Sequence, residues 1–216
     1  MLSAAGKMGA RPADAGPVRW VLCDLGGVVV HVDSARVVTE LSRCSGRPLP
    51  EVLRLLDADI LAAYEEGRLE SRQFFERLAS SLGLTMTYEE FMTLWNHIFT
   101  ENTAMTAILQ RLRERCTVAA LSNTNALHFQ HLMATLPSTM ALFHHHLLSF
   151  QLGRRKPDTQ LYLTALERLG ATPWGTVYID DREDLVAVGR SLGLHGIQFR
   201  DAGQVRAELG AVGLAV

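Results

Sequence analysis

The apolar positions of this chain fall into two regimes. Residues 18–23 form a short apolar run, broken only by Arg19, that stops at Asp24 and is followed by Gly26 and Gly27. Such a run, closed by turn residues, predicts a buried strand. From residue 34 to about 100 the period becomes helical. Ser34 caps a helix to residue 44, with Val37, Val38 and Leu41 inward, and a second helix covers 50–64 with Pro50 in its first turn. A third covers 71–82, and a fourth opens at Thr87, whose T-Y-E-E pattern predicts a capping box ahead of Phe91, Leu94, Trp95 and Ile98. Four consecutive amphipathic helices predict a small bundle inserted after the first strand.

Beyond residue 100 the pattern alternates. Short apolar strands are expected at 117–121, 146–150, 176–179 and 196–199, with helices at 105–116, 127–136, 158–169 and 185–192 and a last one from Asp201. Strands alternating with helices predict a parallel sheet with right-handed crossovers. The fold class is therefore α/β, a Rossmann-like parallel sheet core with an inserted α-helical bundle. We expect a flexible tail at 1–17, a core from 18–33 and 101–216, and an inserted helical bundle at 34–100.

Polar residues sit where the strands end: Asp24; Ser122 with Asn123; Arg155 with Lys156, after the strand at 146–150; Asp180 with Asp181. In a parallel sheet these share one edge, where α/β proteins bind ligands. A carboxylate, a hydroxyl with an amide, a cation and a carboxylate pair suit phosphoryl transfer. Carboxylates can hold Mg²⁺, which offsets the repulsion between an anionic nucleophile and a phosphate. Asp24 would attack phosphorus, with Ser122 and Lys156 stabilising the transferring oxygens.

Composition narrows the alternatives. The chain has 216 residues, 48% hydrophobic and 20% charged, with a formal net charge of -2. That balance gives no reason to expect nucleic acid or an anionic membrane as a partner. No apolar run approaches the roughly 20 residues that span a bilayer, and the N-terminus lacks the apolar stretch of a signal peptide. Cys23, Cys44 and Cys116 are widely spaced and odd in number, which points to reduced thiols in the cytoplasm. We expect a small-molecule phosphate substrate and a monomer or homodimer.

The motifs DLGGVVVHVDSARV at 24–37, YEEGRLES at 64–71, LSNTNALH at 121–128, GRRKPD at 153–158 and YIDDREDL at 178–185 resemble those of the haloacid dehalogenase-like hydrolase superfamily. The resemblance runs from about residue 18 to the end. It is to the helical-cap branch and within it to the alpha-glucose-1-phosphate phosphatase type. It implies a Mg²⁺-dependent phosphatase acting on a small phosphorylated metabolite, a sugar phosphate, through an aspartyl-phosphate. It also implies Asp24, Ser122 and Lys156 as catalytic residues and Asp24, the carbonyl of Gly26, Asp180 and Asp181 as metal ligands. Asn123 would hold the phosphoryl group, and Asp184 would act from behind the metal. The cap would select the leaving group through Tyr64, Glu65, Glu66 and Arg68, with His128 facing either the substrate or the helix surface.

One position departs from the pattern. Most phosphatases of this superfamily carry a second aspartate two residues after the nucleophile, as general acid and base; here it is Gly26. Such a group is worth roughly 10²–10⁴ in rate. Its loss limits turnover, favours a good leaving group or requires a substitute, for which His31 and Asp33 are candidates. The alternative is a family member with weak or lost catalysis in a binding or regulatory role. Two further features read as structural. His144, His145 and His146 form a polar turn before a strand, not a metal site, and Arg155 pairs with Asp180 or Asp184.

Overall fold

The computed structural model describes residues 16–57 and 59–216. Most of the expected tail, residues 1–15, lies outside them. Five strands, β1 (Trp20–Cys23), β4 (Thr117–Ser122), β5 (His145–Leu148), β6 (Thr176–Asp180) and β7 (His195–Gln198), form one parallel sheet in the order β5-β4-β1-β6-β7. Two short strands, β2 (Val30–Val32) and β3 (Phe99–Glu101), pair antiparallel in a separate ribbon.

The helices before the second sheet strand are α1 (Ser34–Ser45), α2 (Leu49–Asp57), α3 (Asp59–Glu65), α4 (Ser71–Leu82), α5 (Tyr88–Asn96) and α6 (Thr103–Leu112). Those after it are α7 (Ala126–Thr135), α8 (Pro137–Met140), α9 (Ser149–Leu152), α10 (Thr159–Leu169), α11 (Glu183–Ser191) and α12 (Ala202–Ala211).

Side chains alternate along the strands, so each strand feeds two cores. Val21, Cys23, Val118, Ala120, Val177 and Ile179 pack on the face covered by α6 and α12. Leu22, Ala119, Leu121 and Tyr178 pack on the opposite face, against Leu161 and Tyr162 of α10 and Val186 of α11. Strands buried on both faces read as continuous apolar runs, which is why the sequence shows them plainly.

Helices α1–α5 bury a separate cluster, in which Phe74 stacks on Tyr64 with ring centroids 4.4 Å apart and is flanked by Phe91 and Trp95. The expected capping box at Thr87 is present: its hydroxyl accepts from Glu90 N, and Thr87 N donates to Glu90. Leu127 of α7 also belongs to this cluster and joins it to the sheet.

Three sequence expectations change. The helix expected over 50–64 is two helices, α2 and α3. Residues 99–101, placed at the end of a helical stretch, are a strand; each segment of the β2–β3 ribbon is too short to carry a period, and the pairing itself fixes it. The strand expected at 146–150 starts at His145 and ends at Leu148, where Ser149 turns the chain into α9. His145 is therefore a strand residue and not part of a turn, and His146 lies in the strand, in keeping with the strand expected at 146–150. His144 Nδ1 accepts from Val118 N at 3.0 Å, and His146 Nε2 lies 3.2 Å from Met140 O.

Candidate active site

The register of the sheet builds the site. Cys23 is level with Ala120 on β4 and Ile179 on β6. One step further brings Asp24 level with Asp180, so two carboxylates leave neighbouring strands on the same side. The chain runs from β1 to β4 and β5 on one side and returns to β6 and β7 on the other, which opens a crevice at the carboxyl ends beside β1.

Lys156, delivered by the loop before α10, lies between the two carboxylates. Its Nζ is 2.8 Å from Asp24 Oδ2 and 2.7 Å from Asp180 Oδ2, and it also donates to Leu121 O at 3.0 Å. All three side chains are buried. A buried ammonium with two carboxylates and a carbonyl is fully paired, the condition under which charge persists in an interior. Burial alone disfavours the Lys156 charge, but Asp24 and Asp180 outweigh it and raise its pKa. Burial raises Asp24 to about 6, against the pull of the Lys156 ammonium. Burial and the neighbouring Asp180 also raise Asp181.

Each carboxylate is oriented by its own chain. Asp24 Oδ1 accepts from Leu25 N at 2.7 Å, and Asp180 Oδ1 accepts from Arg182 N at 3.0 Å. The Tyr178 hydroxyl donates to Asp180 Oδ2. Tyr178 opens the motif at 178–185, which assigns it no role; its sequence signal is a polar group two residues before Asp180, on the same side of β6. Asp181 rests against Gly27, which has φ of +77°; a Cβ there would lie 2.4 Å from Asp181 Oδ2. Glycine at 27 is thus required twice, by its backbone and by the carboxylate beside it.

Asp24, Asp180 and Asp181 each offer an oxygen, all within 4.8 Å of one another. Hard oxygen donors grouped in this way suit a small divalent cation such as Mg²⁺.

Other expected residues fall elsewhere. The Asn123 side chain does not reach outward: its Nδ2 donates to Lys156 O at 2.9 Å and its Oδ1 accepts from Lys156 N at 2.8 Å. Tyr64 is buried, its hydroxyl 2.8 Å from Ser71 Oγ and accepting from Leu127 N at 3.2 Å. Glu66 and Arg68 pair with each other at 2.8 Å, and Arg68 is exposed. His128 lies inside, with Nδ1 3.0 Å from Asn125 Nδ2 and Nε2 3.1 Å from Trp95 O, and burial lowers its pKa to about 4.

Arg155 pairs with neither Asp180 nor Asp184. Its Nε is 2.8 Å from Glu65 Oε2, without the alignment of a hydrogen bond, and so joins the helical cluster to the sheet edge. Asp184 is exposed and paired with Arg182 at 2.6 Å, outside the carboxylate group. His31 is exposed on the β2–β3 ribbon, and Asp33 lines a surface groove with Arg36, Glu90 and His97. Neither stands beside Asp24, because the turn after Gly27 carries the chain away before either is reached.

Fold and site together define a Rossmann-like α/β hydrolase with a buried carboxylate, Asp24, at the end of the first strand. A model of the haloacid dehalogenase-like hydrolases matches residues 18–193, and the chain belongs to that family. It is 26% identical to a D-ribitol-5-phosphate phosphatase of Bacteroides thetaiotaomicron over 214 residues, covering 89% of this chain and 97% of the relative. It is 23% identical to a sesquiterpene phosphatase of Aspergillus oryzae over 183 residues, covering 83% of this chain and 88% of that one. A haloacid dehalogenase family enzyme of Bacteroides thetaiotaomicron, solved with magnesium and inorganic phosphate, shares the fold at a TM-score of 0.76 and 23% identity over 85% of this chain and 94% of the other. No helix among the described residues is long and apolar enough to cross a membrane.

Proposed function

We propose that this hydrolase is a Mg²⁺-dependent phosphatase of small phosphorylated metabolites, with Asp24 as nucleophile. The observation that carries the reading is Lys156 held between Asp24 and Asp180, beside a third carboxylate. Asp24, Asp180 and Asp181 would hold the metal together with the carbonyl of Gly26. Bound there, Mg²⁺ would supply positive charge that lets an anionic carboxylate approach an anionic phosphate.

An Asp24 oxygen attacks phosphorus, and the bond from phosphorus to the leaving oxygen breaks. Ser122 donates a hydrogen bond to the phosphoryl oxygens, and Lys156 turns to them the N–H that Asp24 gives up on bonding to phosphorus, so both meet the charge that grows in the transition state. Gly26 offers no acid, so the departing oxygen takes its proton from water. A second water then attacks phosphorus, breaks the acyl phosphate and frees Asp24 and inorganic phosphate. Asn123 acts by positioning Lys156. Residues 34–100 serve as the cap over the leaving group.

The ribitol-phosphate relative supports a sugar or polyol phosphate as substrate, and the sesquiterpene phosphatase supports an apolar one. Phosphate release from a metabolite panel, with and without Mg²⁺, tests the reading. Release is expected to need Mg²⁺ and to vanish in Asp24→Asn; equal release by that variant would exclude Asp24 as nucleophile. Absence of release from every metabolite would favour the binding or regulatory alternative that Gly26 motivates.

A further inference from the structure

On the phosphatase reading, the group esterified to phosphate departs past Gly26 and Ser122. Those residues, with Asn123 and Thr124, also line a cavity of about 300 Å³ that reaches up between the β2–β3 ribbon and the helical cluster. Its other walls are mainly apolar, from Val30, Val37, Leu56, Leu61, Trp95 and Phe99. Two more of its lining residues, Val32 and Leu53, are 42% and 45% exposed and are among the few large apolar side chains of the described residues left open to water. Leu49, one helical turn before Leu53, is another. Apolar surface gathered at the mouth of a cavity favours an apolar occupant, which removes it from water.

Most polar groups of the wall are already engaged, the exceptions being the Ser34 hydroxyl, the Glu65 carboxylate and the Trp95 indole N–H. Both ring nitrogens of His128 have partners, and the Asn123 amide is held by Lys156. Thr124 N and O both bond to Ser149 Oγ at 3.0 Å. Glu65 faces Arg155. The buried donor of the wall with no partner is Trp95 Nε1. A sugar or polyol carries a hydroxyl on nearly every carbon, and each hydroxyl taken from water without a partner is costly. One indole N–H, one carboxylate paired only by charge with Arg155 and one hydroxyl, Ser34, fall short of that need.

The geometry points to a leaving-group pocket for the monophosphate ester of an apolar alcohol, an alkyl, alkenyl or arylalkyl phosphate, in preference to a sugar phosphate. This assignment rests on the phosphatase reading for the place of the phosphate and on the cavity wall for the rest of the molecule. It also sets a role for the residues at the rim: Val32 and Leu53 would select the substrate by apolar contact.

The test uses the full chain with Mg²⁺ and separates binding from turnover. Calorimetric titration compares octylphosphonate with methylphosphonate, neither of which is hydrolysed. A buried methylene contributes about fourfold in affinity, so octylphosphonate is expected to bind at least about tenfold more tightly. Leu53→Glu, at an exposed position that leaves the core intact, is expected to reduce that ratio. Equal affinities in the native protein would overturn the assignment. In turnover, kcat/KM for octyl phosphate is expected to exceed that for ribitol 5-phosphate, and the reverse order would overturn it. Tight octylphosphonate binding with no phosphate release from any ester would uphold the apolar pocket and remove the phosphatase reading.

Discussion

Asn123 and Lys156 hold each other by two hydrogen bonds across 33 residues of chain, amide to carbonyl at 2.9 Å and amide to side-chain oxygen at 2.8 Å. This clasp ties the loop after β4 to the loop that supplies the lysine. Its loss would free the Lys156 backbone while leaving the buried ammonium in place. Asn123→Ala is expected to cost about 1–3 kcal/mol of stability, read by urea denaturation, and to lower kcat more than it raises KM. An unchanged kcat would show that Lys156 is placed without the clasp.

The Tyr64 hydroxyl is one of two hydrogen-bonded links from the helical cluster to α7, the other being His128 Nε2 with Trp95 O. Removing it in Tyr64→Phe strands the buried Leu127 N–H, at a cost of about 1–3 kcal/mol. Because the hydroxyl is already committed to Ser71 and Leu127, KM for any substrate is expected to stay the same. A raised KM with unaltered stability would instead place Tyr64 at the substrate.

His128 couples stability to acidity. Its pKa in the fold, about 4, lies below the ordinary value near 6.5. The unfolded chain therefore takes up its proton first as the pH falls. The contribution of the neutral ring is complete above about pH 6.5 and drains away towards pH 4, by about 3 kcal/mol in all. Asp24, raised to about 6, acts in the opposite sense, contributing stability at low pH that is lost as the pH rises through 6. His128→Gln isolates the histidine, since Asp24 is common to both proteins. The stability advantage of the native protein over this variant is expected to shrink between pH 7 and pH 4.5. A difference independent of pH would contradict a buried neutral ring.

Gly26 and Gly27 are expected to respond differently to a side chain. A Cβ at Gly26 meets only Val32 Cγ2, at 3.3 Å, and Gly26 does not need a positive φ. Gly26→Asp is therefore expected to fold and to supply the missing acid, raising kcat on alkyl esters by up to about 10² and on activated aryl esters much less. Gly27→Ala strains the backbone and collides with Asp181, and is expected to abolish phosphate release and weaken Mg²⁺ binding by calorimetry. Native-like activity in Gly27→Ala would exclude Asp181 from the reaction.

Much of this protein was legible in its sequence. Strands buried on both faces announce themselves as short apolar runs, so the polar residues that close them, Asp24, Ser122 and Asp180, could be aligned before any contact was known. Thr87 and Glu90 specify their helix start locally, within one turn of chain. The apolar period of residues 34–98 separated a helical insertion from the sheet.

The tertiary structure decided what depends on distant partners. The β2–β3 ribbon joins segments about 70 residues apart, and neither has a pattern of its own. Arg155 could have paired with several carboxylates, and only packing of α3 against the sheet edge chose Glu65. Asn123, Tyr64 and His128 looked free to meet a substrate, but the interior had already taken their hydrogen bonds. The cavity above Ser122 is walled by side chains from several separate segments, so its apolar character has no sequence signature. Local periodicity fixed the order of elements and the ends of the strands, because those depend on neighbours along the chain. The choice of leaving group depends on which side chains meet across space, and only the packed fold sets that.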